Sequence, residues 1–230
     1  MLRFAEDGAE RVHAALGEGD LARLDAALAP TDAGRPGSRL GDELAPVADL
    51  LGPEGAVGHV GLRFGGMGVR PVRATLFDKR ASGNWALGLH QDRTIAVRKR
   101  REVPGFGPWT VKAGRAHVEP PFDVIARMLT LRVHLDPVDD ANAPLLIIPG
   151  SHRLGRLTEQ AIAELDAGTA IPCHAVRGDI WAYSTPIVHG SAPVRTAGRR
   201  RRVLQLDYAA DPLPGGLEWV HIACGELEHQ

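Results

Sequence analysis

The stretch LTLRVHLD, from Leu129 to Asp136, gives the clearest indication of the fold. Leucine or valine occupies every second position, and threonine, arginine, histidine and aspartate occupy the positions between them. Successive side chains of a β-strand point to opposite faces of a sheet, so this alternation predicts a strand with one apolar and one polar face. The polar face, with Thr130, Arg132 and His134, faces either a cavity or water.

Other short apolar or alternating runs lie between turn residues from about Val60 onward, and they predict a chain that is mostly β-strand beyond that point. The candidate strands are Val72 to Asp78, Leu87 to Ala96, Pro144 to Ile148, Ile171 to Val176, Ile180 to Tyr183 and Val203 to Tyr208. No alternation of strand and helix is evident. This order favours an antiparallel barrel or double sheet over a parallel sheet.

Helices are predicted before the strands and once among them. Asp20 can cap a helix that ends before Pro30, and a second helical segment lies around Leu44 to Leu51. The first helix has an apolar face made of Leu21, Leu24 and Leu28. Thr158 is a candidate N-cap for a later helix that closes near Gly168. We therefore expect one domain over residues 1–230, helical over about 1–55 and β-rich over about 60–212.

Composition excludes several broad classes of function. The net charge is -1 and the apolar fraction is 44%, which is ordinary for a globular protein and argues against a dedicated nucleic-acid or membrane binder. Cys173 and Cys224 form neither a metal-binding spacing nor a disulfide framework. The N-terminal twenty residues lack the apolar run of a signal peptide, so we expect a cytoplasmic protein.

Two basic runs, 98–101 and 199–202, could suggest a nucleic-acid surface. Alternate residues of a strand point to opposite faces, so a run of four arginines cannot form one continuous basic patch. The stretch from Arg98 to Pro121 is rich in glycine, proline and charge, which predicts a long excursion between strands. Both a lid over a site and a plain surface loop fit that composition.

The segment GLHQDRTIAV, from Gly88 to Val97, contains the first candidate metal ligands. In a strand, His90 and Asp92 project from the same face because they are two residues apart. Non-haem Fe(II) oxygenases use two imidazoles and one carboxylate on one side of the octahedron, which leaves the remaining positions open. A single His-x-Asp triplet is a weak motif, because chance alone produces about one such triplet in a chain of this composition.

A third candidate ligand, His189, follows an apolar strand and precedes a turn and a strand that begins with arginines. A cosubstrate such as 2-oxoglutarate chelates iron through its keto acid end and needs a cation for its far carboxylate. Arginine provides a planar fork for bidentate pairing with a carboxylate. An arginine at the start of the strand beside His189 could supply that group.

Three blocks of sequence together resemble the phytanoyl-CoA dioxygenase family of Fe(II)/2-oxoglutarate oxygenases, over roughly Arg73 to Ala210. They are HQD at 90–92, NAPLLIIPGSHR at 142–153 and HGSAPVRTAGRRRRVLQLDY at 189–208. The resemblance implies a double-stranded β-helix, or jelly roll, with N-terminal and flanking helices. It also implies Fe(II) bound by His90, Asp92 and His189, 2-oxoglutarate as cosubstrate, and hydroxylation of a small molecule with release of succinate and CO2.

The family's cosubstrate arginine follows the distal histidine, but four consecutive arginines occupy this region. Counting back from Tyr208 selects Arg201, and counting forward from His189 selects Arg200. We prefer Arg201, because strand pairing fixes register whereas turns absorb insertions. Further residues expected near the cosubstrate are Lys79, Thr130, His134 and Ser191.

Two other functions stay open on the sequence. A cupin-like metalloprotein without 2-oxoglutarate would use more histidine ligands and would need no arginine at the strand start. A non-catalytic binding protein on an oxygenase fold would have no need of the complete set His90, Asp92 and His189. The expected partners are O2 and a small-molecule substrate, without nucleic acid or membrane, and the sequence indicates neither the substrate nor the oligomeric state.

Overall fold

The computed structural model describes residues 1–31, 37–80, 85–191, 193–194, 199–220 and 222, and it consists mainly of antiparallel β-sheet. The strands are β1 (Ala9–Val12), β2 (Ser38–Leu40), β3 (Arg70–Lys79), β4 (Leu87–His90), β5 (Ile95–Val97), β6 (Trp109–Lys112), β7 (Arg115–Val118), β8 (Leu129–His134), β9 (Leu145–Ile147), β10 (Ile171–Cys173), β11 (Ile180–Ser184), β12 (His189–Ser191) and β13 (Arg201–Ala209). The helices are α1 (Phe4–Asp7), α2 (Glu18–Leu28), α3 (Ala48–Leu51), α4 (Ala56–Gly65), α5 (Phe122–Ala126) and α6 (Glu159–Ala163), with 3-10 turns at Asp42–Val47, Asp140–Asn142, Ser151–Arg153 and Ala167–Thr169.

Two main sheets form the jelly roll. The larger has the strand order β1-β11-β8-β13-β3-β2, and the smaller has the order β10-β9-β12-β4. They face each other, because Leu145 and Ile147 of the smaller sheet pack against Trp181 and Tyr183 of the larger one. A third sheet, β5-β7-β6, lies beside them. The all-β jelly roll with flanking helices that the sequence predicted is confirmed.

The inner face of the larger sheet is polar. Strand register places Thr75, Gln205 and Arg132 side by side on β3, β13 and β8, with Arg39 of β2 and Trp181 of β11 completing the row. Because side chains alternate along a strand, Thr130, Arg132 and His134 of β8 all point to the interior of the jelly roll, and all three are buried. They face the inside of the protein rather than water.

The outer face of the same sheet is apolar and lies under the helices. Leu131 and Val133 of β8 and Leu204 of β13 belong to the main hydrophobic cluster, together with Leu21, Leu24 and Leu28 of α2 and residues of α3 and α4. Burial of these side chains against the helices is the largest hydrophobic contribution that the described residues offer. The core therefore lies outside the jelly roll, between sheet and helices, and leaves the interior free for polar chemistry.

Several local predictions differ from the structure near the N-terminus. Strand was expected from about Val60, but residues 56–65 form α4, with Val57 and Val60 buried against the sheet. The predicted helical part contains β1 and β2, which are the two edge strands of the larger sheet. Helix α2 begins at Glu18 after Gly17, so Asp20 lies in the first turn and is not the cap.

Later segments also differ in detail. The predicted strand from Leu87 to Ala96 is divided into β4 and β5, which belong to different sheets. The excursion at 98–121 contains the hairpin β6–β7. Thr158 caps α6 as expected, since its hydroxyl accepts a hydrogen bond from the Ala161 N–H at 3.1 Å, but the helix ends at Ala163, earlier than predicted. Cys173 is buried, and Cys224 lies outside the described residues.

None of the helices that the structure describes has the length and hydropathy that a membrane span requires.

We predict that Leu131→Ala lowers the free energy of unfolding by about 2–5 kcal/mol, because a fully buried leucine is replaced by a cavity beneath the helices. Urea denaturation followed by circular dichroism measures the change. Val111→Ala is the control, since Val111 is 74% exposed and its truncation leaves stability nearly unchanged. Equal effects of the two substitutions would contradict the position of the core.

Candidate iron and cosubstrate site

Strand pairing brings the two predicted histidine ligands together. His90 at the end of β4 is the direct antiparallel partner of His189 at the start of β12, and their ring centroids are 4.3 Å apart. Asp92 follows in the irregular link between β4 and β5. The potential ligand atoms of the three side chains all lie within 4.8 Å of one another. Asp92 was expected on the same strand as His90 and lies just beyond it, where the chain leaves the smaller sheet.

Each imidazole is oriented by a backbone carbonyl two residues before it. Nδ1 of His90 lies 2.8 Å from the Gly88 oxygen, and Nδ1 of His189 lies 2.9 Å from the Ile187 oxygen. A carbonyl only accepts, so Nδ1 carries the proton and Nε2 keeps its lone pair for a metal. Burial lowers the pKa of His189 to about 4, which keeps that ring neutral near pH 7. Two imidazole nitrogens and one carboxylate oxygen fit divalent iron.

Asp92 is held from behind by a buried arginine. Nη2 of Arg73 lies 3.4 Å from Oδ2 of Asp92, while Nε of Arg73 pairs with Asp207. Burial acts to raise the pKa of Asp92, but the opposing effect of nearby positive charge, chiefly that of Arg73, holds the pKa below its usual value. Thr130, which was expected near the cosubstrate, instead donates to Oδ1 of Asp207 at 3.0 Å and so supports this ion pair.

A cavity of about 760 Å³ opens in front of these residues and extends between the two main sheets. Its wall includes all three candidate metal ligands, His90, Asp92 and His189. Arg201 and Arg132 line it as well. Arg201 is only 2% exposed, and its guanidinium donates to the Ala143 carbonyl. Burial, followed by the charge of Arg132, lowers the pKa of Arg201 to about 9. The charged guanidinium is therefore destabilised in this position, and a nearby anion would stabilise it.

The other arginines of the run point elsewhere and are already paired. Arg200 forms an ion pair with Asp78 at 2.8 Å, and Arg199 pairs with Asp139 at 2.7 Å. Arg202 pairs with Asp136 at 2.7 Å and with Asp25 at 2.5 Å. Because alternate residues of β13 face opposite sides, Arg201 is the member of the run that reaches the cavity. The run does not form a continuous basic surface.

Of the remaining predicted residues, Ser191 lines the cavity and Lys79 lies behind it. The Lys79 ammonium donates to the Ser191 hydroxyl at 3.1 Å and to the Trp85 carbonyl at 2.8 Å. Burial, with smaller contributions from Arg201 and Arg132, lowers the pKa of Lys79 to about 7. His134 is buried outside the cavity wall, where burial lowers its pKa.

Sequence reasoning missed Arg73, Arg39 and Lys112, and it did not assign Arg132 to the site. Arg132 was recognisable as a polar residue of an alternating strand, but only the pairing of β8 with β13 places it beside Gln205. Arg73 precedes the HQD motif by nearly twenty residues, and no local pattern connects the two.

The family model for phytanoyl-CoA dioxygenase (PhyH) matches residues 4–203. The chain belongs to the phytanoyl-CoA dioxygenase family. The family, the jelly roll, and the cofactors Fe(II) and 2-oxoglutarate that the sequence predicted are thereby confirmed. In its general class the protein is an iron- and 2-oxoglutarate-dependent oxygenase.

Solved structures agree with this fold. EvdMO1 has a TM-score of 0.66 at 21% identity over 92% of this chain, which spans about half (49%) of the EvdMO1 chain. AviO1 from Streptomyces viridochromogenes Tue57 has a TM-score of 0.62 at 25% identity, covering 92% of this chain and 95% of AviO1. HygX from Streptomyces hygroscopicus, solved with nickel and 2-oxoglutarate, has a TM-score of 0.61 at 16% identity, covering 90% and 83%. No curated protein sequence matches the chain significantly.

We predict that Arg73→Met lowers the free energy of unfolding by about 3–5 kcal/mol, because Asp207, 1% exposed, loses its cation. Adding Asp207→Asn to that variant restores part of the loss, since it removes the uncompensated charge. Chemical denaturation of the metal-free proteins measures both changes. In the control, Arg98→Met breaks an exposed pair with Glu218 and leaves stability almost unchanged. An equally small effect of Arg73→Met would contradict the buried ion pair.

Proposed function

We propose that this protein hydroxylates a small molecule, using Fe(II), 2-oxoglutarate and O2 and releasing succinate and CO2. In this proposal His90, Asp92 and His189 bind the iron. The observation that carries the proposal is the convergence of two imidazoles and one carboxylate, with ligand atoms within 4.8 Å of one another, on the wall of a cavity.

The chain's own residues prepare the metal ligands. The Gly88 and Ile187 carbonyls fix the ring orientation and the tautomer of the two histidines. The charge of Arg73 helps to keep the half-buried Asp92 ionised. When bound, iron and 2-oxoglutarate together supply the oxidising power that breaks an unactivated C–H bond. The protein's task is to orient these groups and to exclude water from them.

Arg201 is our proposed partner for the far carboxylate of 2-oxoglutarate. It lines the cavity, it is buried, and among the described residues it has no carboxylate within 4 Å. A guanidinium in that position can form a bidentate pair. We define Arg201, Arg132 and Lys79 as the inner cation group, because the charges of Arg201 and Arg132 both act on Lys79. Lys79 is linked to the cavity wall through its hydrogen bond to the hydroxyl of Ser191.

The two alternative functions fit the site less well. A cupin-like enzyme without 2-oxoglutarate has no use for a buried arginine that faces the cavity. A binding protein that had lost catalysis would have no need of the intact ligand set, with both histidine tautomers fixed. Leu89, Leu145 and Ile162 add an apolar part to the wall, as expected where an organic substrate enters.

The metal assignment predicts that Asp92→Ala weakens Fe(II) binding by at least about tenfold, since one of three ligands is lost. His90→Ala and His189→Ala act in the same direction. Anaerobic equilibrium dialysis measures the affinity, and circular dichroism checks that each variant is folded. Asp139→Ala is the matched control, because its exposed carboxylate lies outside the cavity wall, where it pairs with Arg199 and accepts a hydrogen bond from the Ala141 N–H. Unchanged iron binding in Asp92→Ala would rule out this ligand set.

The cosubstrate assignment predicts that Arg201→Met raises the Kd of 2-oxoglutarate about thirtyfold or more. Loss of a buried ionic partner costs about 2–5 kcal/mol, and about 1.4 kcal/mol corresponds to a factor of ten. Arg200→Met is the control, because Arg200 is committed to Asp78 on the other face. Anaerobic calorimetric titration of the iron-loaded proteins gives both constants. A large loss in Arg200→Met with Arg201→Met near wild type would move the assignment by one residue.

Hydroxylation itself is tested by incubating the iron-loaded protein with 2-oxoglutarate, a metabolite mixture and isotopically labelled O2. We expect succinate above a no-protein control and a product that has gained one labelled oxygen atom. Succinate formation accompanied by a product without added oxygen would retain the oxygenase class but overturn hydroxylation.

A further inference from the structure

The cavity contains a second group of cations on the side of Asp92. Arg39 of β2 and Lys112 at the end of β6 both line the cavity, and we call them the outer cation pair. Lys112 reaches the wall because the β6–β7 hairpin lies against the jelly roll, where Arg115 donates to the Leu40 carbonyl at 2.6 Å. The excursion that the sequence predicted thus contributes a charged group to the site.

Among the residues that the structure describes, the side chains of the outer cation pair donate hydrogen bonds to neutral groups. Nη1 of Arg39 donates to the Thr75 hydroxyl at 2.6 Å, and Nζ of Lys112 donates to the Thr94 hydroxyl at 3.1 Å. Elsewhere, arginines are commonly paired with carboxylates, as Arg200 and Arg202 are. None of the cationic residues in the cavity wall has a carboxylate within 4 Å among the residues that the structure describes. These residues are Arg39, Arg93, Lys112, Arg132 and Arg201.

The two cations lie close enough to other positive charges to be destabilised. Burial is the largest cause that lowers the pKa of Arg39, and the charge of Arg73 adds to it. Burial also lowers the pKa of Lys112, and both Arg73 and Arg39 contribute. Asp92 opposes these effects only in part. An anion placed between Arg39 and Lys112 would relieve the repulsion.

Bound 2-oxoglutarate cannot supply that anion. Arg39 is paired in register with Thr75, whereas Arg201 is paired with Lys79, four residues further along β3. At about 3.3 Å per residue the two positions are separated by about 13 Å along the strand. Of the two carboxylates of 2-oxoglutarate, one is assigned to the iron and the other to Arg201, so neither remains for Arg39.

Charge balance leads to the same conclusion. Arg73 is compensated by Asp207, and the two charges of Fe(II) are compensated by Asp92 and the chelating carboxylate of 2-oxoglutarate. The far carboxylate of the cosubstrate compensates Arg201. Apart from Asp92, Glu159 is the acidic residue of the described wall, and it lies exposed on α6. The outer cation pair therefore stays uncompensated when iron and cosubstrate are bound.

We propose that the substrate of this oxygenase carries an anionic group, a carboxylate or a phosphate or sulfate ester, which Arg39 and Lys112 bind beside Asp92. This inference rests on the proposed function and gives its substrate class. Arg39 provides the planar fork for two oxygens of the anion, and Lys112 provides a more exposed point charge at the entrance. A neutral or cationic substrate would leave both charges without a counterion.

The test uses the anaerobic complex of the protein with Fe(II) and saturating 2-oxoglutarate, so that the inner cation group is occupied. Hexanoate, hexyl phosphate, hexyl sulfate, hexylamine and 1-hexanol are titrated into it and followed by calorimetry. We expect saturable binding of one or more of the three anions, and no binding of the amine or the alcohol at the same concentrations. The ranking of the anions identifies the charged group that the site prefers.

Variants then locate the binding. Arg39→Met is expected to weaken binding of the preferred anion about tenfold, as for a lost charge-assisted hydrogen bond. Lys112→Met is expected to weaken it less, and because Lys112 is exposed this variant retains the fold. The affinity for 2-oxoglutarate stays unchanged in both. Matched controls are Arg70→Met and Lys99→Met, which remove exposed cations outside the cavity wall.

Three results would overturn the proposal. Binding of the amine or the alcohol as tightly as the anions would show that charge does not select the ligand. Anion binding that survives both Arg39→Met and Lys112→Met would place the anion elsewhere. Failure of 2-oxoglutarate to bind the iron-loaded protein would overturn the proposed function and this inference together, and it is seen before any probe is added.

Discussion

The antiparallel pairing of β4 with β12 is the constraint on which the site depends. It sets His90 directly opposite His189, and β9 on the other side of β12 holds that short strand in place. A slip of one residue would turn one imidazole to the opposite face of the sheet. The carbonyls that orient the rings belong to the same two chain segments, so one set of backbone contacts fixes ligand position, ring rotation and tautomer. Asp92 completes the set because the chain leaves the sheet immediately after His90.

The distribution of polarity explains how the interior can bind charged ligands. Helices cover the outer face of the larger sheet and supply the apolar core, whereas the inner face carries arginines, glutamine and threonine. Among the described residues, Arg201 and Arg132 are buried without a carboxylate within 4 Å, which is energetically unfavourable for a charged group. Arg73 shows the contrasting arrangement, because Asp207 and Asp92 compensate it within the fold. Arginines paired with carboxylates inside the protein support the structure, and those proposed to bind ligands are the cavity arginines that lack a carboxylate within 4 Å among the described residues.

The features that could be predicted from the sequence are those that depend on a local residue pattern or on a family motif. The alternation in β8, the Thr158 cap and the spacing of the HQD motif were sufficient for the strand, the helix start and two candidate ligands. Helix α4 was missed because its glycines and valines read locally as turn and strand, and packing against the sheet decides its conformation. The contribution of Arg39 and Lys112 depends on contacts between distant segments, which periodicity cannot reveal. Within the arginine run 199–202, strand alternation reduced the number of arginines that could face the cavity. The ion pair of Arg200 with Asp78 explains why Arg200 faces away from the cavity.

His90, Asp92 and His189 are proposed to form one site that binds Fe(II) and 2-oxoglutarate together. Anaerobic titration of 2-oxoglutarate into the iron-loaded protein, followed by visible absorption, tests it most directly. We expect a weak metal-to-ligand charge-transfer band that saturates at one equivalent of cosubstrate, since chelation through the keto acid end produces it. Iron that binds stoichiometrically while no such band develops would show that 2-oxoglutarate does not chelate the metal at this site.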